Sequence, residues 1–465
     1  MRACIHRADG KSTKLRTLSG KALRFIVLQF KKTSYEHNIL VGNVTGNLLA
    51  EWRILDFLMP APPLQLGIRI ARTTSIFCPK EQVPWMAKLA RIAAVMMLTI
   101  IVVAVLTAIG SRTNSNDYIE YWSAGKLFVQ GANPYSEPLI LALEKSRGLT
   151  PDAPLVMLNP PWALFMVAPL GFFPALPALV LWVLATVGSV LASILALKVP
   201  PQYRTLAFLF APVLTTFTME QSSPFLLLGF CLFLRLHQQR PFLAGASLLL
   251  MSIKPHLFLV FWAVLLVDCL YRHRFAILAG LASALACASV FATLVSPHVW
   301  LNYFALTHKV ALDQHSFISL PILFQSLIGP KIKWLALVPA CVAIVWGLAY
   351  YWAKRAVWEW KRHGMPVMMV TILTSPYGWI SDEVVLLPSV IFAALSSPRR
   401  FSLEILTVLN CAALLVFWTT AQGRSWLPLA WFAWYLYAVR MEGNTPSEKN
   451  DSAPKVAEAA TSTFS

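Results

Sequence analysis

The first candidate for chemistry in this sequence is a carboxylate at the end of an apolar segment. Asp117 follows such a segment and opens a stretch rich in aromatic residues, 117–135. A carboxylate at the mouth of a membrane cavity can act as a general base toward a hydroxyl group. Aspartate is also a favoured N-cap, where it satisfies the free N–H groups of a helix start. The residue type therefore leaves both roles open for Asp117.

Further polar groups also follow apolar segments, and they come from distant parts of the chain. An ionisable group at the centre of a membrane helix costs about 2.5–3.5 kcal/mol, so a function usually explains its presence. The set comprises Glu120, Glu220 with Gln221, Lys254 with His256, the loop His298–His315, and Asp382 with Glu383.

Each of these groups has a structural alternative. Lys254 could extend its ammonium group to the membrane interface, and His256 could be a hydrogen-bonded histidine at a helix end. Gln221 would equally suit a helix break, and Asp382 with Glu383 could lie in a hydrated loop. The loop histidines lack the tight spacing of a metal site, so we expect neither a metal ion nor a cofactor.

The elements that position these groups are predicted to be membrane helices. The chain has 465 residues, of which 57% are hydrophobic and 13% charged, whereas about 25% of a soluble domain is charged. A membrane span needs about 20 mostly apolar residues. We predict an all-α polytopic membrane protein with about 10–13 spans and with re-entrant or interfacial helices in its first outer loop. The candidate spans are 92–110, 175–197, 205–219, 223–236, 241–254, 256–271, 275–296, 334–353, 365–379, 384–396, 401–420 and 427–440, with 157–173 and 317–329 as re-entrant or interfacial pieces.

The charge distribution predicts the orientation of the chain. The net charge is +18, but most basic residues lie between apolar segments, as in cytoplasmic loops, which argues against a nucleic-acid partner. With the N-terminus inside, the polar groups above gather on the outer face. We predict a basic cytoplasmic arm at 1–91, a transmembrane domain at 92–440 and a disordered cytoplasmic tail at 441–465, in a multi-pass protein of the bacterial inner or plasma membrane. The seven cysteines form no CxxC motif, and the five within or at the edge of apolar segments are expected to be small hydrophobic residues.

Several motifs resemble one known family. They are Asp117-Tyr-x-x-Tyr121-Trp-x-Ala-Gly125, Gly131-x-x-Pro134-Tyr135, Asn159-Pro-Pro161, Ala168-Pro-Leu-x-Phe-x-Pro174, Glu220-Gln221, Ala244-Gly245 with Lys254-Pro255, and Ser375-Pro-Tyr377 with Asp382. Together they resemble glycosyltransferase family 87, of the GT-C superfamily, which includes polyprenyl-phosphate-mannose-dependent α-1,2-mannosyltransferases. Two features depart from the family pattern: Glu220 replaces a frequent glycine, and Ser381-Asp382 stands where many relatives carry a histidine.

The resemblance implies an inverting hexosyltransferase that moves a sugar, mannose by default, from a polyprenyl-phosphate donor in the outer leaflet to a lipid or glycan acceptor. It implies Asp117 as the general base and Lys254 as the cation beside the leaving phosphate. Other residues predicted to bind substrate are Gln221, His256, Asp382, Tyr118 and Glu120. The main alternative is a secondary transporter, which predicts matching half-repeats. A polysaccharide polymerase or ligase is a third interpretation, but its large loop usually comes late in the chain.

Overall fold

The computed structural model of the protein describes residues 117–149, 153–309, 320–329, 333–396, 400–419 and 426–443. The predicted basic arm, the first predicted span at 92–110 and the tail from residue 444 lie outside these ranges. The described ranges contain helices and no β-strand. This confirms the all-α class expected from the sequence.

The described chain forms 17 α-helices joined by short turns and 3-10 segments. In chain order they are α1 (Tyr118–Val129), α2 (Glu137–Ser146), α3 (Leu164–Gly171), α4 (Ala175–Ala196), α5 (Pro201–Phe208), α6 (Ala211–Thr218), α7 (Ser223–Leu236), α8 (Pro241–Ser247), α9 (Leu259–Tyr271), α10 (Phe275–Val295), α11 (Val299–Lys309), α12 (Leu320–Ile328), α13 (Val338–Lys354), α14 (Trp360–Leu373), α15 (Leu387–Ser396), α16 (Arg400–Thr419) and α17 (Leu427–Gly443).

Within these ranges, three helical segments are long and apolar enough to cross a membrane: Ala175–Ala196, Phe275–Val295 and Trp334–Val357. A fourth crossing results if the bent pair Pro241–Ile253 and Pro255–Tyr271 counts as one span. Many of the other predicted spans are shorter helices, because prolines and turns interrupt the apolar segments. The architecture is that of a polytopic membrane protein.

The bent pair has its break at Lys254. The helix axis bends by 118° between the two halves, and Lys254 has φ −126° and ψ 70°, outside the helical region. Pro255 explains this geometry, because proline cannot donate a backbone hydrogen bond and disfavours a helical conformation in the preceding residue. The sequence Lys254-Pro255 therefore places a cationic side chain where the backbone changes direction.

Helix α1 is buried between other elements and packs very closely on α3. A Cβ atom on Gly125 would lie 2.2 Å from the carbonyl oxygen of Val167, and one on Gly171 would lie 2.2 Å from the carbonyl oxygen of Gly125. Only glycine permits this approach of two backbones. The glycine of the first motif thus fixes α1, and with it the position of Asp117, against the rest of the fold.

Candidate functional site

Four side chains from distant parts of the chain form a continuous polar network. The Nε2 group of Gln221 donates a hydrogen bond to Oδ2 of Asp117. The Oε1 atom of the same amide accepts one from Nζ of Lys254 at 3.1 Å. The Lys254 ammonium group also forms an ion pair with Oδ1 of Asp382 at 2.7 Å. We call Asp117, Gln221, Lys254 and Asp382 the polar network.

Asp117 stands immediately before α1 and is half-buried. Its carboxylate forms no side-chain capping bond to the helix, which removes the structural alternative considered from the sequence. Burial is the largest effect on the pKa of Asp117 and raises it, and the nearby Asp382 charge raises it further. The Gln221 hydrogen bond and the Lys254 charge lower the pKa in part, so the net change is a rise. One helical turn later, burial and then the charge of Asp117 raise the pKa of Glu120 to about 8. The protonated form of Glu120 is therefore favoured at neutral pH.

An unusual backbone conformation orients Gln221. Glu220 has a φ of +55°, in the left-handed region, and its carbonyl oxygen accepts a hydrogen bond from Nε1 of Trp182 at 2.8 Å. Trp182 stacks on Tyr121 with ring centroids 4.8 Å apart, and the Tyr121 hydroxyl donates to Oε1 of Gln221 at 3.2 Å. The amide oxygen of Gln221 is thus held by two donors, which leaves its N–H group directed at Asp117.

The first-loop motifs hold the turn that carries Lys254. The side-chain amide of Asn159 donates a hydrogen bond to the carbonyl oxygen of Ile253 at 3.0 Å. The indole N–H of Trp162 donates one to the carbonyl oxygen of Ser252 at 2.9 Å. The Tyr135 hydroxyl donates to the carbonyl oxygen of Asn159 at 2.9 Å. Asn159 of the Asn-Pro-Pro motif and the adjacent Trp162 therefore satisfy two backbone carbonyls at the helix break.

Asp382 lies in a 3-10 segment, Ile380–Leu386, and is only 2% exposed. Its Oδ1 accepts a hydrogen bond from the Ser223 hydroxyl at 2.6 Å, and its Oδ2 accepts one from the backbone N–H of Trp379 at 3.0 Å. Burial by itself would raise the pKa of Asp382, but the adjacent Lys254 charge and these hydrogen bonds together hold it below its usual value. Asp382 is therefore an ionised counter-ion whose two oxygens are both in use.

The remaining predicted residues lie around the network or away from it. His256 stacks on Tyr377, with ring centroids 3.9 Å apart, and its Nδ1 lies 3.1 Å from the Tyr377 hydroxyl. Tyr118 is buried and donates its hydroxyl proton to the carbonyl oxygen of Ala175 at 2.6 Å, an arrangement that packs α1 on α4. Glu383 is buried beside the C-terminal helix and accepts a hydrogen bond from Nε1 of Trp431 at 2.7 Å.

Some residues that shape the site were not singled out from the sequence. Tyr121 is part of the first motif but was given no role in the site, and it is 1% exposed and bonded to the network. Ser223 was not predicted as a site residue, because a serine at the start of a helix is commonly a cap. Its position two residues after Gln221 was the available signal.

The arrangement combines a base with a cation. Asp117 accepts only one hydrogen bond in the described structure, so a carboxylate oxygen remains for a substrate hydroxyl. An ammonium group has three donors, and Lys254 uses two of them, toward Gln221 and Asp382. The Gln221 amide therefore lies between a proton acceptor, Asp117, and a cation, Lys254, that has one N–H donor without a partner in the described structure. Within the described ranges, no group of three or more histidine, cysteine, aspartate or glutamate side chains could hold a metal ion.

Comparison with known families identifies the class of protein. Residues 158–376 match the family model of glycosyltransferase family 87. The match contains Gln221, Lys254 and His256, and the fold brings Asp117 and Asp382 to them from outside its two ends. No curated protein and no solved structure matches the chain. The family match confirms the resemblance of the motifs and favours a transferase over a secondary transporter. Over these residues the chain is similar to glycosyltransferase family 87, and the protein is a membrane glycosyltransferase.

Proposed function

We propose that this enzyme transfers a sugar, with inversion, from a polyprenyl-phosphate donor to an acceptor hydroxyl on the outer face of a bacterial cell membrane. Mannose is the expected sugar by family resemblance. The observation that supports the proposal most is the Gln221 amide, which donates to Asp117 and accepts from Lys254. It holds a base and a cation in one unit, as displacement of a phosphate by an alcohol requires.

Asp117 is the general base in this mechanism. The acceptor oxygen attacks the anomeric carbon while its proton passes to a carboxylate oxygen of Asp117. The bond between the anomeric carbon and the phosphate oxygen breaks on the opposite face of the sugar, so the anomeric configuration inverts. A positioned general base contributes about 10²–10⁴-fold to such a step.

Lys254 stabilises the leaving phosphate. The phosphate gains negative charge as the glycosidic bond breaks, and a prepositioned donor aimed at that charge lowers the barrier. The remaining N–H group of the Lys254 ammonium is suited to this contact. A donor with one phosphate needs less charge neutralisation than a nucleotide sugar, so we expect no dependence on a metal ion.

Asp382 orients Lys254 in this proposal and does not bind the acceptor. Its oxygens accept from Lys254, Ser223 and the Trp379 backbone, which favours a positioning role over the acceptor contact expected from the sequence. His256 and Glu120 are proposed to contact substrate hydroxyls. The Tyr118 hydroxyl is engaged by Ala175 and supports the site through packing alone.

The test is transfer by the purified full-length protein in proteoliposomes supplied with polyprenyl-phosphate mannose. We expect a mannosylated acceptor whose anomeric configuration, read from NMR coupling constants, is opposite to that of the donor. Retained configuration would contradict the displacement mechanism. An absence of transfer from every polyprenyl-phosphate sugar, together with solute uptake by the same vesicles, would support the transporter alternative.

A labelling experiment tests the proposed side of the membrane. In a variant that lacks the native cysteines, Asp117→Cys is expected to react with a membrane-impermeant maleimide added outside intact cells. Arg274→Cys, in a predicted cytoplasmic loop, is the control and should react only after the cells are opened. The reverse pattern would place the polar network on the cytoplasmic face.

A further inference from the structure

A group of aromatic side chains is linked to the turn that carries Lys254. We call Tyr135, Trp162, Trp300, Tyr303 and Tyr377 the aromatic rim. The rings of Trp162 and Trp300 have centroids 5.6 Å apart, and those of Tyr135 and Tyr303 are 5.4 Å apart. Tyr377 belongs to the group through its stack on His256 at the same turn. The rim therefore draws on the first loop, on α11 and on the late loop before Asp382.

The rim contacts the residues on either side of Lys254. Trp162 donates to the carbonyl oxygen of Ser252, two residues before Lys254. Tyr377 stacks on His256, two residues after Lys254. Trp162 and Tyr377 thus link the rim to the turn that carries Lys254.

The two α11 members of the rim differ from the buried aromatic residues of the core. Trp182 and Trp431 are nearly inaccessible, and their indole N–H groups have acceptors within the protein. Trp300 and Tyr303 are half-buried, and within the described ranges neither the Trp300 indole nor the Tyr303 hydroxyl is hydrogen-bonded. They lie three residues apart on α11, so their rings share one face of the helix. This face offers aromatic surface together with two unused polar groups.

We infer that Trp300 and Tyr303 form an acceptor subsite that stacks against a sugar ring, so that the enzyme glycosylates a sugar residue. The inference rests on the proposed transferase function. A pyranose has a face of C–H groups, whose partial positive charge suits the negative face of an aromatic ring. Its hydroxyl groups lie around the edge, where the indole N–H and the phenol hydroxyl can bond them.

The alternative occupant of the rim is the prenyl chain of the donor. A prenyl chain has no hydrogen-bonding groups, so it would leave the Trp300 and Tyr303 polar atoms unsatisfied on binding, at a cost in free energy. A sugar ring satisfies both the aromatic surface and the polar groups. This difference favours the acceptor sugar.

Binding without turnover is the first test. Saturation-transfer NMR is recorded on the protein in nanodiscs with methyl α-mannopyranoside, with methyl β-glucopyranoside, and with glycerol as a polyol without a ring. We expect saturation of the pyranoside ring protons by the wild type and by Leu301→Ala, an exposed position on the same helix. For Trp300→Ala we expect a loss of about threefold to tenfold, and Trp300→Phe should restore part of the signal. Equal signals for Trp300→Ala and wild type, or no pyranoside signal in the wild type, would overturn the inference.

Kinetics supplies the second test. We expect Trp300→Ala and Tyr303→Phe to raise the acceptor KM while the donor KM changes by less than about twofold. A rise in the donor KM alone would assign the rim to the prenyl chain and overturn the inference. Because the NMR signal requires no catalysis, loss of the Asp117 mechanism and loss of the sugar subsite are separate results.

Discussion

The ammonium group of Lys254 and the carboxylate of Asp382 lie 2.7 Å apart although 128 residues separate them in the chain. Their side chains are only 11% and 3% exposed. Two opposite charges buried together compensate each other, whereas either one alone in this position would be costly. The pair therefore fixes the Lys254 turn to the late 3-10 segment and keeps a cation in the site.

This pair predicts a specific double-mutant result. Lys254→Met leaves Asp382 as a buried carboxylate without its counter-ion, and we expect a loss of about 3–5 kcal/mol in stability. We expect Lys254→Met/Asp382→Asn to recover most of that loss, because no unpaired charge remains. Transfer should stay at least about 100-fold below wild type in both variants, since neither has the cation for the leaving phosphate.

Thermal unfolding in detergent and the in vitro transfer rate measure these two effects separately. Lys309→Met is a suitable control, because Lys309 pairs with Glu137 at the exposed surface. Recovery of activity in the double variant would show that Lys254 serves stability alone.

The acid limb of the pH profile should respond to Gln221. The base must be ionised, so activity falls as the pH drops through the pKa of Asp117. Gln221 lowers that pKa by donating a hydrogen bond to the carboxylate. Gln221→Met removes the donor, so the pKa should rise and the acid limb of kcat/KM should move to higher pH. An acid limb at the wild-type position, in a variant that still turns over, would exclude this role for the amide.

Glu220 provides a prediction about the backbone. With a φ of +55°, it occupies a region that costs an L-residue roughly 1–2 kcal/mol and glycine almost nothing. Glu220→Gly should therefore be more stable than Glu220→Ala by about 1 kcal/mol, the reverse of the order in a helix. Comparison of these two variants by thermal unfolding isolates the effect of the Cβ atom. If the alanine variant were the more stable one, the left-handed conformation would not be what the site requires.

The same geometry accounts for one departure from the family pattern. The sequence shows glutamate where a glycine frequently precedes the glutamine, and the structure shows a backbone conformation that glycine adopts most easily. Trp182 holds the strained carbonyl, so the turn persists without glycine. The conformation of this turn could not be predicted, because one glutamate carries no local signal for a positive φ.

The class of fold and several site residues were predictable, since apolar length and charge bias are local properties of the sequence. Asp117, Gln221 and Lys254 stood out as polar groups at the ends of apolar segments, and the structure brings them together. The partner of Lys254 was not predictable, because an ion pair across 128 residues depends on how the helices pack. The Tyr118 hydroxyl donates to the carbonyl oxygen of Ala175, which favours packing over the predicted substrate contact. A sequence does not tell which of these two partners a tyrosine hydroxyl faces.

The most direct test of the account is the transfer rate of Asp117→Asn. Asparagine keeps the size of the side chain but does not accept a proton, and we expect the rate from polyprenyl-phosphate mannose to fall by about 10²–10⁴-fold. Thermal unfolding should change little, and Glu137→Gln, which makes the same chemical change at the surface, should transfer at the wild-type rate. Wild-type transfer by Asp117→Asn would contradict the assignment of Asp117 as the base.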